Sequence, residues 1–196
     1  MTFTELLEEV YTLTNRPDRI AETKLAVKQA TLKAHQIDYF YKDISETAIQ
    51  FTSAEYLQQL EYRSAVPRWR AVKYLRKYDA TESTPGDQLE LITPDEIFDS
   101  YRVQKEDVFY VAGEYLQIKS RTEEQYYLLG CYVNPNITEA AYDSWIASDH
   151  PYAIILPAAA LVFKTIGYDE EAATYNQLAS AEYELLKISN ILANGY

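Results

Sequence analysis

Apolar and polar positions in the first forty residues alternate with the period of a helix. Phe3, Leu6, Leu7, Val10 and Tyr11 fall at i, i+3, i+4, i+7 and i+8, one face of an amphipathic helix. Thr2-Phe3-Thr4-Glu5 reads as a capping box, with Thr2 as cap and Glu5 reaching back. The break Thr14-Asn15-Arg16-Pro17-Asp18 leads into a second helix, predicted over 17–35. Asn15 suits a cap through its side-chain oxygen, Pro17 a first turn, and Asp18 the positive end of the helix dipole. Ala21, Ala26, Ala30 and Ala34 would let another helix approach closely.

From Ile44 the character changes to strand and turn. Residues 47–52 and 67–78 read as strands, the second β-rich around Trp69, Val72, Tyr74 and Leu75. Residues 80–87 read as an exposed loop, and Thr93-Pro94-Asp95-Glu96 as the start of a helix reaching Tyr101. Residues 107–112, 115–120 and 125–133, separated by turns at Ala112-Gly113 and 121–124, predict an antiparallel meander closed by Asn134-Pro135-Asn136. The remainder is helical. One helix is expected from a Thr138 cap through Trp145, and one from Pro151 to Ile166 with a kink or restart at Pro157. A last helix, capped by Asp169, follows a stop at Gly167. In it Leu178, Ala181, Leu185, Ile188 and Leu192 alternate spacings of three and four, a short heptad seam, while Tyr175, Ala179 and Leu186 widen the apolar surface. Such a seam packs either on the chain's own helices or on another subunit or partner. The fold class expected is α+β, with N- and C-terminal helices forming a helical bundle around a central antiparallel β insert. It is read as one domain over 1–196, helical at 1–43 and 136–196 and β-rich at 44–135.

Composition adds three constraints. A chain of 196 residues at 47% hydrophobic can bury a core without metals or disulfides. A net charge of −12, with acids spread along the chain, implies a solvated acidic surface and argues against binding phosphates. Cys131 is the only cysteine, which suits a reducing cytoplasm. No basic and apolar leader pattern follows Met1, so no secretory signal is expected. The longest apolar run, 152–163, is short of the roughly 20 residues that span a bilayer. Nineteen tyrosines suit interfaces and half-buried sheets alike.

Candidate chemistry is sparse. Neither His35 nor His150 has a second His or Cys at ligand spacing, so no metal is expected. A Ser-His-Asp arrangement is open on composition, but there is no G-x-S-x-G elbow. Five scattered glycines build no phosphate loop, so no cofactor is expected. The pairs Glu8-Glu9, Glu123-Glu124 and Glu170-Glu171 are adjacent and do not face each other across a cleft. Arg63, Arg68, Arg70, Lys73, Arg76 and Lys77, interleaved with Trp69 and Tyr74, have the make-up of a single-strand binding track. In a strand, however, opposite parity divides them between two faces, and pairing with acids is the expected role. No catalytic residue, specific nucleic-acid contact or membrane contact is predicted.

The break at 14–18, with Ala30-Thr31-Leu32-Lys33-Ala34-His35-Gln36-Ile37-Asp38-Tyr39-Phe40, resembles the N-terminal region of head–tail adaptor proteins of tailed bacteriophages. The resemblance extends to residues 66–76 and the helical C-terminal third. It implies a ring, usually of twelve copies, docked beneath the portal protein and offering tail or nozzle proteins their platform. It also implies a place at the head–tail junction of the virion, after synthesis in the host cytoplasm. The helical part would form the ring and grip the portal, with the β insert outward or toward the tail. Tyr183, Leu186, Leu192 and Tyr196, apolar or aromatic and near the chain's end, are the candidate portal or subunit contacts. Like-sign charge predicts salt-dependent assembly, and a monomer until the portal templates the ring. Two alternatives belong to other classes. An acidic DNA mimic that inhibits a host DNA-binding enzyme would need carboxylates spaced like phosphates, whereas this chain mixes Lys and Arg with its acids. A cell-wall hydrolase would need a catalytic acidic residue.

Overall fold

The structure is a computed structural model that describes residues 1–79, 84–98 and 104–193, without the side chains of 52–56, 121–125 and 192–193. The chain divides into two compact units. Met1–Asp43 with Asn134–Tyr196 make one, and Ile44–Val133 the other.

The first unit is helical. Helix α1 (Phe3–Thr14) begins on the capping box: the Glu5 N–H donates to Thr2 Oγ1 at 3.3 Å, and the Thr2 N–H to Glu5 Oε2 at 2.7 Å. It buries Phe3, Leu6, Leu7 and Val10 and ends where Asn15 takes a left-handed conformation, φ 51°. Asn15 therefore closes α1 and does not cap the next helix, because its small polar side chain tolerates positive φ. Helix α2 (Ile20–Gln36) starts three residues after the expected Pro17, and Pro17 lies in the intervening turn. Its buried face is built of Thr23, Ala26, Val27, Ala30, Thr31, Ala34 and His35. The two threonines are tolerated inside because each hydroxyl donates back to a carbonyl one turn earlier, at 2.7 and 2.8 Å.

Three further helices follow the sheet: α4 (Trp145–Asp149), α5 (Tyr152–Thr165) and α6 (Asp169–Ala193). Helix α4 is capped by Ser144, whose Oγ accepts from the Ala147 N–H at 3.3 Å; Thr138 precedes only a 3₁₀ turn, Glu139–Ala141. Helix α5 is apolar nearly all round and packs against α1, α2 and α6, as a central helix should. Pro157 is buried inside it, without a restart.

Among its described residues the second unit is a sheet with one short α-helix. Its elements are β1 (Ile44–Glu61), α3 (Tyr62–Ala65), β2 (Trp69–Asp79), β3 (Thr84–Leu91), β4 (Val108–Ala112) and β5 (Tyr115–Val133). The strand order is β1-β5-β2-β3-β4, and β4 pairs back onto β5. The C-terminal half of β5 lies between β1 and β2, and its N-terminal half between β1 and β4. Leu75, Leu89, Phe109, Leu116, Ile118, Tyr127, Leu129 and Cys131 fill the interior. Gly130 is required where it lies: it faces Tyr74 in the register, and a Cβ there would enter the Tyr74 ring.

These pairings correct the expected fold class. The sheet is mixed, since β3 and β4 run parallel through Glu90↔Val108 and Leu91↔Phe109, and it curls into a half-barrel. It has seven strand segments when the two long bent strands are each counted twice. The helices lie mostly after the sheet, so a central antiparallel insert flanked evenly by helices is not the architecture. The physical reason is the stretch 92–107. A parallel pair needs a connection that crosses over; in place of the start of the helix expected from Thr93 to Tyr101, the described residues hold a 3₁₀ turn at Pro94–Glu96 and a bridge between Phe98 and Gln104, and 99–103 lie outside the described residues. The expected turn at 121–124 is absent, since β5 runs through it. Of the expected loop at 80–87, residues 84–87 belong to β3, and 80–83 lie outside the described residues.

Candidate functional site

Helix α6 carries two apolar faces. Ala172, Ala179, Tyr183 and Leu186 form the first, all buried, with Tyr175 packed on the helical core beside them. Phe163 of α5 stacks on Tyr175 with ring centroids 5.3 Å apart. The small Ala172 and Ala179 suit close approach to Ala158 and Ala159 of α5, both fully buried. The second face is the heptad seam. Leu178, Leu185 and Ile188 are 49%, 55% and 52% exposed, and Ala181 between them is exposed too. At about 100° per residue the two faces are centred roughly 140° apart. The seam is therefore not spent on the chain's own core.

The candidate contacts distribute accordingly. Leu186 is fully buried, and Tyr183 is 8% exposed with Lys33 Nζ 5.7 Å from its ring centroid. Burial pushes the Tyr183 phenol up to about 12, and its hydroxyl has no hydrogen-bond partner among the described residues. Both residues are core in this chain, and the exposed apolar positions of α6 are on its other face, Leu185 and Ile188 among them. The Leu192 side chain and Tyr196 lie outside the described residues. The sequence carried a signal for this division: alanines mark the face of close approach, and leucines at seam spacing mark the other.

A buried polar cluster ties the two chain segments of the helical unit together. His35 Nδ1 lies 2.8 Å from Asp43 Oδ1, and the Trp145 indole N–H donates to the same oxygen at 2.7 Å. With Nδ1–H donating to the carboxylate, Nε2 accepts from the Ser144 hydroxyl at 2.9 Å. His35, Asp43 and Ser144 are all at least nine-tenths buried. These are the distances of a nucleophile, a base and an orienting acid. Ser144 also lines a polar cavity of about 320 Å³ with Thr2, Thr4, Glu139, Asp143 and Ser148. Its Oγ, however, already serves the α4 cap. The sequence around His35 shows only that it has no ligand partner at metal spacing, and nothing local points to a partner 109 residues away.

On the surface, acids and bases interleave. Glu139 bridges Lys24 and Lys28 at 2.7 and 3.1 Å, Lys42 holds Asp149 at 2.6 Å, and Arg16 holds Asp18 at 2.8 Å. Hydrogen bonds to these cations keep the Glu139 and Asp149 carboxyls below their usual range, and Arg16 brings Asp18 to about 2. The basic run is split. Arg63 is on α3, Arg68 is in the turn before β2, Arg76 lies over the Tyr74 ring, and Lys77 pairs with Asp107 at 3.2 Å. Among the described residues no group of three or more His, Cys, Asp or Glu could hold a metal ion, and no helix is long and apolar enough to cross a membrane. No protein-family model and no curated protein matches the chain.

Proposed function

We propose that this chain is a structural protein of a tailed-phage virion. It is a head–tail adaptor that docks as a ring beneath the portal protein and gives tail or nozzle proteins their platform. The observation that supports the reading is the solvent-facing seam of α6. Scattered exposed leucines need no explanation, but a line of them at heptad spacing, on a helix that already fills its own core, suits a second protein surface. Tyrosine-rich composition and an acidic surface that DNA would slide past are consistent with that place. The chain makes and breaks no bond in this role. Phage carrying a disrupted copy is expected to accumulate DNA-filled heads without tails; complete virions from such a phage would contradict the proposal.

One observation favours a second reading, a serine hydrolase: the Ser144–His35–Asp43 distances beside a polar cavity. A fluorophosphonate probe separates the two. The adaptor reading expects no adduct, because the Ser144 hydroxyl is buried and engaged in the cap; covalent labelling lost in Ser144→Ala would establish the hydrolase.

A further inference from the structure

Strand β1 is the open edge of the sheet. β2, β3, β4 and β5 each have neighbours on both sides over part of their length, whereas β1 pairs with β5 alone among the described residues. An edge strand turns alternate backbone N–H and C=O groups outward, where another strand can bond to them. Such an edge is usually blunted by lysine, proline or a bulge. β1 holds no Lys, Arg or Pro in its 18 residues. Its register is broken between Gln50 and Leu57, but residues 44–50 run without a shift against 132–126. That stretch of regular edge is left bare. Glu46 is its one ionisable side chain and accepts from the Tyr74 hydroxyl. Ser45, Thr47 and Ile49 lie on the core side, beside Cys131, Leu129 and Tyr127; Glu46, Ala48 and Gln50 share the opposite side and are exposed.

The residues of this edge complement themselves. A second β1 laid antiparallel about a two-fold axis through Ala48 sets Ala48 against Ala48, Thr47 against Ile49 and Glu46 against Gln50. Core-side residues then meet core-side residues, and the interior of one sheet continues into the other. An axis between two residues would set the core side of one copy against the solvent side of its partner. The β-branched pair Thr47 and Ile49 occurs twice, a favourable cross-strand match. Glu46 meets an amide with an N–H to spare, since Gln50 Nε2 gives one to Tyr126 Oη at 2.9 Å. No like charges face each other, whereas an axis through Thr47 would make the two Glu46 side chains diagonal neighbours. The broken register after Gln50 keeps the pairing from lengthening. A two-fold contact also covers both open edges at once and leaves none to extend a filament, which a strand added head to tail would not do.

We infer that β1 of one copy pairs with β1 of a second copy, antiparallel about Ala48, in a closed dimer of the free protein. The contact goes beyond the adaptor reading and does not rest on it, because a cyclic ring does not generate a two-fold axis between neighbours. It also departs from the free monomer that like-sign charge alone implies. A net charge of −12 on each copy opposes the association, so added salt tightens it.

The test uses full-length chains. Sedimentation from micromolar to millimolar should show monomer and dimer only, with salt favouring the dimer. A chain monomeric at every concentration and salt, or one that passes beyond dimers, overturns the inference. Ala48→Lys sets two ammonium groups face to face across the axis, and Ala48→Glu two carboxylates. Each variant alone should dimerise at least about tenfold more weakly than wild type, and their equimolar mixture should recover, since lysine then faces glutamate. Wild-type dimerisation by either variant alone, or no recovery in the mixture, overturns the inference. Ala48 is exposed, so the fold should stand, and circular dichroism checks it. Where a variant does not fold, pyrene labelling decides. Pyrene on Ala48→Cys should give excimer emission, and pyrene on Gln59→Cys, toward the far end of β1, monomer emission, Cys131 being buried. No excimer at position 48, or excimer at both positions as a parallel pairing would give, overturns the inference. Loss of the dimer with portal docking intact leaves the adaptor reading standing; the dimer without portal docking does the reverse.

Discussion

Asp43→Ala should destabilise the helical unit by several kcal/mol. Asp43 is 4% exposed and accepts from the half-buried Trp145 indole N–H at 2.7 Å and from the buried His35 Nδ1 at 2.8 Å. Removing it strands both. A stranded buried donor costs about 1–3 kcal/mol and a half-buried one less, so the sum is about 2–4 kcal/mol against a domain stability of about 5–15 kcal/mol. Asp43→Asn keeps an oxygen in place, loses only the assistance of the charge, and should cost about 1–2 kcal/mol. His35→Ala with Asp43→Ala should cost less than the two single losses added, because one stranded donor leaves with the ring. The assay is urea unfolding followed by Trp145 fluorescence. The chain has two tryptophans, and Trp69→Phe, in the sheet unit, leaves Trp145 as the only indole. An Asp43→Ala unfolding free energy within about 0.5 kcal/mol of the parent would refute the argument, since that is the scatter of ordinary surface changes.

Gly130→Ala drives a methyl into the Tyr74 ring and should destabilise the sheet unit by about 1–3 kcal/mol, with recovery when Tyr74→Ala is added. Urea unfolding of the two variants checks it. Acid should weaken the helical unit. Asp18, Glu22, Glu139 and Asp149 have carboxyls held low by hydrogen bonds, so the unfolded chain binds more protons in acid. Their stabilisation is complete above the unfolded values of 3.8–4.5 and is lost on descending toward about 2; a melting temperature flat across that window would contradict it. Alkali should act on both units. Tyr183 and Tyr74 are raised from 10 to about 12, chiefly by burial, so their contribution is complete below 10 and lost as pH climbs to 12. Phenolate absorbance at these residues rising near 10, before unfolding, would contradict that.

Local chemistry was readable from the sequence, and long-range partnership was not. The Thr2–Glu5 box and the seam spacing needed only neighbours within a turn or two. Asn15 was misjudged because a short polar side chain suits both an N-cap and a left-handed helix end, and only the position of Ile20 decides between them. The parallel β3–β4 pair escaped because residues 92–107 carry no periodic pattern announcing a crossover. The exposure of the α6 seam depends on which face α5 claims, and the alanines at 158–160, 172 and 179 are its only trace in the chain. The His35–Ser144 bond joins residues on either side of the sheet segment, beyond the reach of any motif.

The adaptor proposal stands most directly on a binding image. Portal rings purified from the same phage are mixed with this chain across a range of salt and viewed by electron microscopy. Added ring-shaped density on one face of the portal is the result expected; bare portals at every salt concentration would contradict it.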